Sequence, residues 1–164
     1  MSLLNLIHYP NPILRMQSKP VKIFNKNIKN IINNMLETMY FYDGIGLAAP
    51  QIGIHLNIIV INVDQKQEHI LINPYITYYN GNSYLEEGCL SIPNYKAKIH
   101  RSSFIKVIAM NQTGNHIEIL ASSLLAVCIQ HEMDHLKGTL FIDYLSTLKR
   151  NRIHKKIKKQ LNLK

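Results

Sequence analysis

The chain reads as an α+β protein built on antiparallel sheets, and three observations carry that reading. Apolar residues Ile28, Ile31, Ile32, Met35, Leu36 and Met39 recur at the spacing of one helix face. Segments 57–63, 69–73, 76–84, 104–110 and 115–120 are β-branched or alternate apolar with polar residues, as strands do, and Asn111–Gly114 marks a hairpin turn between the last two. Residues 122–137 then run without Pro or Gly, between Ser122 or Ser123 as a cap and Gly138 as a stop, which describes a second helix. A helix, then strands, then helices is the order of an α+β chain rather than of repeated βαβ units.

At 164 residues, with 46% hydrophobic and 18% charged residues, the chain is expected to be one domain spanning 1–164. No apolar run approaches the 18 residues of a membrane span. His8, Pro10 and Pro12 interrupt any signal-peptide pattern, so a cytoplasmic protein with reduced thiols is expected. That disfavours a disulfide between Cys89 and Cys128. Charge is concentrated at one end. Residues 149–164 hold eight of the 19 Lys and Arg and no acid, while the other eleven basic residues face all ten acids. The tail also carries a narrow apolar stripe, Ile153–Ile157–Leu161. It reads either as a solvated helix or as a basic C-terminal helix facing RNA.

The chemistry begins at His131-Glu132-Met133-Asp134-His135. Residues four apart on a helix lie about 40° from each other, one turn along the same face, so His131 and His135 can share one cation. Glu132, between them, can act on a water at that cation. Before His131 the helix is apolar on nearly every side, so two polar ligands on it need a reason, and a metal supplies one.

A catalytic site usually has three protein ligands and one open position. The pattern His131-x3-His135-x2-Gly138-x2 ends on Phe141, where a metzincin would place a third histidine. No Glu follows Glu132, which closes the thermolysin route, and Asp143 is the only downstream carboxylate. Upstream, Cys89 stands on a tight stretch between Gly88 and Pro93, where a thiol can be aimed. From the residues alone it is a ligand, a small buried hydrophobe or a disulfide partner.

Three segments taken together resemble bacterial peptide deformylases: Gly44-Ile-Gly-Leu-Ala-Ala-Pro-Gln51, Glu87-Gly-Cys-Leu-Ser91 and Gln130-His-Glu-Met-Asp-His-Leu136. The resemblance runs from about Leu6 to the C-terminal helix. It implies antiparallel sheets packed around the central motif helix. It implies Cys89, His131 and His135 as ligands of one divalent metal, natively Fe(II), with Zn(II), Ni(II) or Co(II) as other occupants. It implies that metal-bound hydroxide attacks an N-formyl carbon, with Glu132 as general base and then acid. Gln51 and the Leu90 amide would donate to the oxyanion. The products are formate and a free amino terminus on a nascent formyl-methionyl peptide. The partners implied are that peptide and the ribosome, reached through the basic tail, with no DNA and no membrane; a monomer is expected. Two positions depart from the family pattern: Ser123, where Gly is expected in many relatives, and Lys96, where Arg is often found, so no substrate contact is assigned to position 96. The rival readings are an endopeptidase with Asp143 as third ligand, and a basic RNA-binding protein with a structural metal.

The substrate pocket is readable from helix geometry. Cys128, Val127 and Leu124 lie three, four and seven residues before His131 and share its face, forming an apolar wall. Ile45 and Leu85 could close it, and an unbranched Met side chain would suit it. Gly44 and Gly46 let the loop backbone lie close to a peptide. Gly44-Ile-Gly-Leu-Ala-Ala49 also fits a dinucleotide fingerprint. However, it follows a helix, and Pro50 discourages a helix beyond it, so a nucleotide site is not expected. Asp134 reads as a partner that supports the ligands or as a surface charge, and the first is preferred.

Overall fold

The structure is a computed structural model that describes residues 3–162. After a 3-10 turn at Pro12–Arg15, helix α1 spans Lys26–Phe41. Asn25 caps it by accepting from the Ile28 N–H at 3.2 Å. The helical stripe is buried as its spacing requires: Ile28, Ile32, Met35 and Met39 face inward.

Seven strands follow: β1 (Gly46–Ala48), β2 (Ile58–Ile61), β3 (His69–Asn80), β4 (Ser83–Cys89), β5 (Ile92–Arg101), β6 (Phe104–Met110) and β7 (His116–Ser122). Five form one antiparallel sheet in the order β1-β2-β3-β6-β7, and β4 pairs with β5 as a separate antiparallel hairpin. Helix α2 (Ser123–Leu136) packs on one face of the large sheet and α1 on the other. The four residues of β2 show why. Ile59 and Ile61 join Ala126, Ile129 and Met133 of α2, whereas Ile58 and Val60 join Ile32, Met35 and Met39 of α1. A strand covered on both faces is an unbroken β-branched run rather than an alternation.

Two strand assignments need correction. Segments 69–73 and 76–84 are expected as separate strands, yet β3 runs continuously through Pro74 to Asn80. Pro74 lies in a register shift between Ile72 and Tyr75, where a missing N–H disturbs no ladder bond. The strand ends at Gly81, whose φ of 66° turns the chain. The β4–β5 hairpin went unassigned because its faces are largely exposed and carry Glu86, Asn94, Lys96 and Lys98, so neither strand alternates cleanly.

Helix α2 stops at Gly138, which has φ 72°. At its start Ser122 occupies the cap position without a side-chain hydrogen bond, contrary to the capping expected of Ser122 or Ser123. Ser123 itself has φ 52°, a left-handed conformation that favours glycine, and this gives a physical reason to expect glycine at that position. A 3-10 turn at Phe141–Tyr144 leads into helix α3 (Thr147–Asn162). The tail stripe divides. Ile157 is buried and Ile153 half-buried against Leu14, Ile92, Leu140 and Phe141, while Leu161 is exposed. The solvated-helix reading therefore holds for one face of α3 and not the other. Residues 163–164 of the expected basic helix, and residues 1–2 of the expected domain, lie outside the described residues.

Candidate metal centre and active site

Three elements meet at one point. Helix α2 presents His131 and His135 one turn apart, their rings 5.1 Å apart in an edge contact. The end of β4 presents Cys89 at the register shift where the hairpin tightens between Gly88 and Ile92. One ligand atom from each of Cys89, His131 and His135 lies within 4.8 Å of the other two. Cys89 Sγ is 3.3 Å from His135 Nε2. Both cysteines are free thiols.

This set fits a divalent cation chemically as well as geometrically. His131 Nδ1 lies 2.8 Å from Glu87 Oε2, which fixes Nδ1 as the protonated nitrogen and leaves Nε2 for the metal. Burial would raise the Glu87 carboxyl, but hydrogen bonds from His131 and Arg101 hold it below the usual carboxylate range, so it is a charged acceptor. Burial, together with the charges of His131 and Arg101, pushes His135 well below its ordinary value and keeps it neutral, as a ligand must be. Without a cation His131 is driven the other way, and a cation bound at Nε2 would displace the proton held there. Burial opposes its charge, but bonds to Cys89 and Glu87 raise it well above the usual imidazole range. One thiol and two imidazoles form a soft donor set that suits zinc, ferrous iron, cobalt or nickel.

Glu132 stands beside the ligands, buried, with Oε2 lacking any hydrogen-bond partner among the described residues. Burial is the first cause of its shift and pushes it up to about 7, with His131 opposing. A buried carboxylate with a lone pair to spare and an affinity for protons near neutrality has the properties of a general base. Gly46 makes room for it. A Cβ built there would lie 2.6 Å from Glu132 Oε1 and 2.7 Å from Cys128 Sγ, so the β1 backbone can approach the carboxylate only without a side chain.

Gln51 is aimed into the same space. Its Oε1 accepts from the Ala48 N–H at 2.8 Å, which turns Nε2 toward Cys89 Sγ (3.6 Å) and Ser91 Oγ (3.2 Å). Leu90 lies in the two-residue turn directly after Cys89. A cavity of about 420 Å³ opens here. Gly44, Ile45, Gly46, Gln51, Leu85, Cys89, Leu90, Leu124, Val127, Cys128, His131 and Glu132 all line it, and His135 lies behind the wall. Val127 and Cys128 are buried at its base, while Ile45, Leu85 and Leu124 are exposed at its mouth. Lys96 lies on its rim with Asn94 and Tyr95. The glycine loop adopts no phosphate cradle: Gly44 N–H bonds back to Met39 at the end of α1, and β1 leads into a 3-10 turn at Ala49–Ile52.

Asp143 is elsewhere. Both its oxygens pair with Arg15, at 2.5 and 2.9 Å, and one also accepts the Leu140 N–H, so the carboxylate is fully engaged away from the donor cluster. Three residues carry a role that the sequence reading does not assign. Glu87 and Ser91 stand at the two ends of the Cys89 motif, and an acidic residue two before a ligand was a signal that could have been read. Arg101, which clasps Glu87 at 2.8 and 3.1 Å and Asp134 at 2.6 Å, carries no local signal and is found only through the β4–β5 pairing.

Known proteins share this arrangement of sequence and fold. The chain is 56% identical over 161 residues to the peptide deformylase of Buchnera aphidicola subsp. Acyrthosiphon pisum (strain Tuc7), a match that covers 97% of this chain and 93% of that protein. Among solved structures it resembles a peptide deformylase from Legionella pneumophila, with TM-score 0.93, 40% identity, and 99% and 97% of the two chains covered. It also resembles the Ehrlichia chaffeensis enzyme in complex with actinonin, with TM-score 0.94, 38% identity, and 98% of each chain covered. The profile of the polypeptide deformylase family matches residues 3–151, and the chain belongs to that family.

Proposed function

We propose that Cys89, His131 and His135 hold one divalent cation and that Glu132, Gln51 and the Leu90 amide use it to hydrolyse N-formyl groups. The reaction is the family's: the chain is a metal-dependent hydrolase that removes the formyl group of nascent polypeptides and releases formate. The observation that carries the residue assignment is the convergence of three ligand atoms within 4.8 Å beside a buried carboxylate whose Oε2 has no partner among the described residues. When bound, the cation supplies the Lewis acidity that lets water lose a proton near neutral pH.

The remaining work falls to the chain. Val127 and Cys128 seat an unbranched methionyl side chain, and Ile45, Leu85 and Leu124 shield it at the mouth. Glu132 takes the proton from the attacking water and returns it to the leaving nitrogen. Gln51 Nε2, pre-aimed by its bond from Ala48, and the Leu90 N–H donate to the oxygen that becomes negative. One chain holds the whole set, so residues 1–164 act as one catalytic domain and a monomer suffices. Fe(II) is the native occupant in this reading, with Zn(II), Ni(II) or Co(II) able to replace it.

Two observations weigh against the alternatives. Asp143 is committed to Arg15, so an endopeptidase using it as a ligand has no support. Two of the three donors, Cys89 and His131, line a cavity, whereas a purely structural metal is closed off by four protein ligands. The test is a side-by-side assay of a formyl-Met peptide and an N-acetylated peptide with metal-loaded protein under anaerobic conditions. Formate release without internal cleavage is expected; internal cleavage without formate would overturn the reading.

The ribosome is the partner that fits α3, and the cytoplasm the compartment. No helix among the described residues is long and apolar enough to cross a membrane. Lys155, Lys156, Lys158 and Lys159 are exposed on α3, while Ile157 is tucked into the core. Truncating the tail would therefore remove packing as well as charge. Changing the four lysines to Gln is the cleaner experiment. Formyl-peptide turnover is expected to persist, while ribosome co-sedimentation weakens and the logarithmic salt slope flattens by about 0.7–0.9 for each phosphate that is no longer neutralised. Equal binding by both proteins at two salt concentrations would remove α3 as the anchor.

A further inference from the structure

We propose that Phe141 and Tyr144, the two ends of the 3-10 turn between α2 and α3, are positioning residues that hold His131 in place for the metal. The inference rests on the assignment of His131 as a ligand. Phe141 acts directly. It is 1% exposed, and its ring stacks offset on the His131 imidazole, with centroids 6.2 Å apart and planes inclined by 26°. Tyr144 acts through a relay. His131 Nδ1 bonds Glu87 at 2.8 Å, Arg101 clasps Glu87 with Nε and Nη2, and Arg101 Nη1 reaches Asp134 Oδ2 at 2.6 Å. The Tyr144 hydroxyl then donates to that same Oδ2 at 2.9 Å, and the Arg101 guanidinium lies 4.8 Å over the Tyr144 ring. Two residues three apart on one turn thus hold both the face of the imidazole and the far end of the chain that orients it.

The relay depends on its outer end for an electrostatic reason. Arg101 is a buried cation shared between two carboxylates, Glu87 inside and Asp134 nearer solvent. The Tyr144 hydroxyl neutralises part of the demand of Asp134 and its ring covers Arg101. Without the hydroxyl, Asp134 draws more of the guanidinium, and less is left to hold Glu87 against His131 Nδ1. A partner that supports a ligand from behind typically changes metal affinity by about 10–100-fold, and a residue one step further out should act more weakly. The motif Glu-Gly-Cys and the helix motif contain neither Phe141 nor Tyr144, so this support is invisible until the fold brings the turn against the helix.

The experiment loads the full chain with Co(II) and follows its release to a chelator, together with the visible Co(II) spectrum and Tm. Tyr144→Phe keeps the ring and removes only the hydroxyl. It is expected to release Co(II) about fivefold faster, the lower end of typical coupling between sites. Asp134→Asn should release it faster still, within about 10–100-fold. Asn73→Ala serves as a destabilised control. It breaks a distant clasp in which Asn73 accepts from the Val21 N–H and donates to the Val21 carbonyl, both at 2.8 Å. It is expected to lower Tm and leave release unchanged. Wild-type release rates in both Tyr144→Phe and Asp134→Asn would overturn the inference alone, as would equal acceleration in Asn73→Ala. Wild-type protein that binds no Co(II) would overturn the ligand assignment beneath it.

Discussion

Replacing Cys89 with Ala is expected to strip the metal and abolish formate release, while Asp143→Ala keeps the metal fully bound. Cys89 supplies the only sulfur in a three-donor set, and the two imidazoles left behind lie on one face of one helix and cannot surround a cation. Losing a direct ligand should cost more than the roughly 10–100-fold loss seen when a supporting partner is removed. Metal content of the purified variants checks this directly, and full occupancy in Cys89→Ala would refute the assignment. Asp143→Ala should show a different defect. The Asp143 carboxyl is opposed by burial but held below the usual carboxylate range by Arg15 and the Leu140 N–H. A depressed folded value means that its share of stability is present above the unfolded pKa, near 4, and is lost as pH falls through the folded value. The stability gap between wild type and Asp143→Ala is therefore expected at neutral pH and should close in acid.

The contrast between these two residues also shows what the sequence could disclose. His131, Glu132 and His135 are legible because helical geometry is local: a spacing of four fixes their common face before any tertiary contact forms. The pocket base is legible for the same reason, since Val127 and Cys128 lie on that face. The stripe of α1 and the unbroken run of β2 announce burial on one side and on two sides. Cys89 and Asp143, by contrast, are both plausible third donors from the residues alone; the family resemblance favours Cys89, and the fold supplies the physical reason. It brings the end of β4 to α2 and turns Asp143 toward Arg15. Arg101 is harder still. Its role follows from β4–β5 pairing, in strands whose exposed polar faces give no period to read. Pro74 misleads because a proline usually ends a strand, and a bulge lets β3 pass through it. In α3 the stripe Ile153–Ile157–Leu161 is visible, but which of its residues finds a neighbour depends on where the core ends.

Glu132→Ala is expected to retain the metal and lose turnover. None of the three donor atoms belongs to Glu132, so the cluster of Cys89, His131 and His135 survives its removal. The variant loses the group that accepts and returns the proton, a loss that typically costs about 10²–10⁴ in rate. Binding of formyl-Met peptides should change little, because Val127, Cys128 and the mouth residues remain, so the loss should appear in kcat more than in KM. The pH profile gives the sign. Burial pushes the Glu132 carboxyl up to about 7 in the metal-free site, and a bound cation lowers it by favouring the charged form. The working form is the carboxylate, so kcat/KM of the wild-type enzyme should fall as pH drops through a value at or below about 7. Glu132→Ala should lack that limb, since the group that titrates is gone. An acid limb that persists unchanged in Glu132→Ala, or turnover near that of wild type, would remove Glu132 from the reaction. Either result would transfer the proton to another group in the cavity, where Gln51 does not titrate and burial, with the nearby Glu132 and Glu87 charges, pushes the Cys128 thiol well above its ordinary value. Of the two buried carboxylates that line the cavity, Glu87 is committed to Arg101 and His131, and Glu132 is the one with an oxygen left to hold a proton near neutral pH.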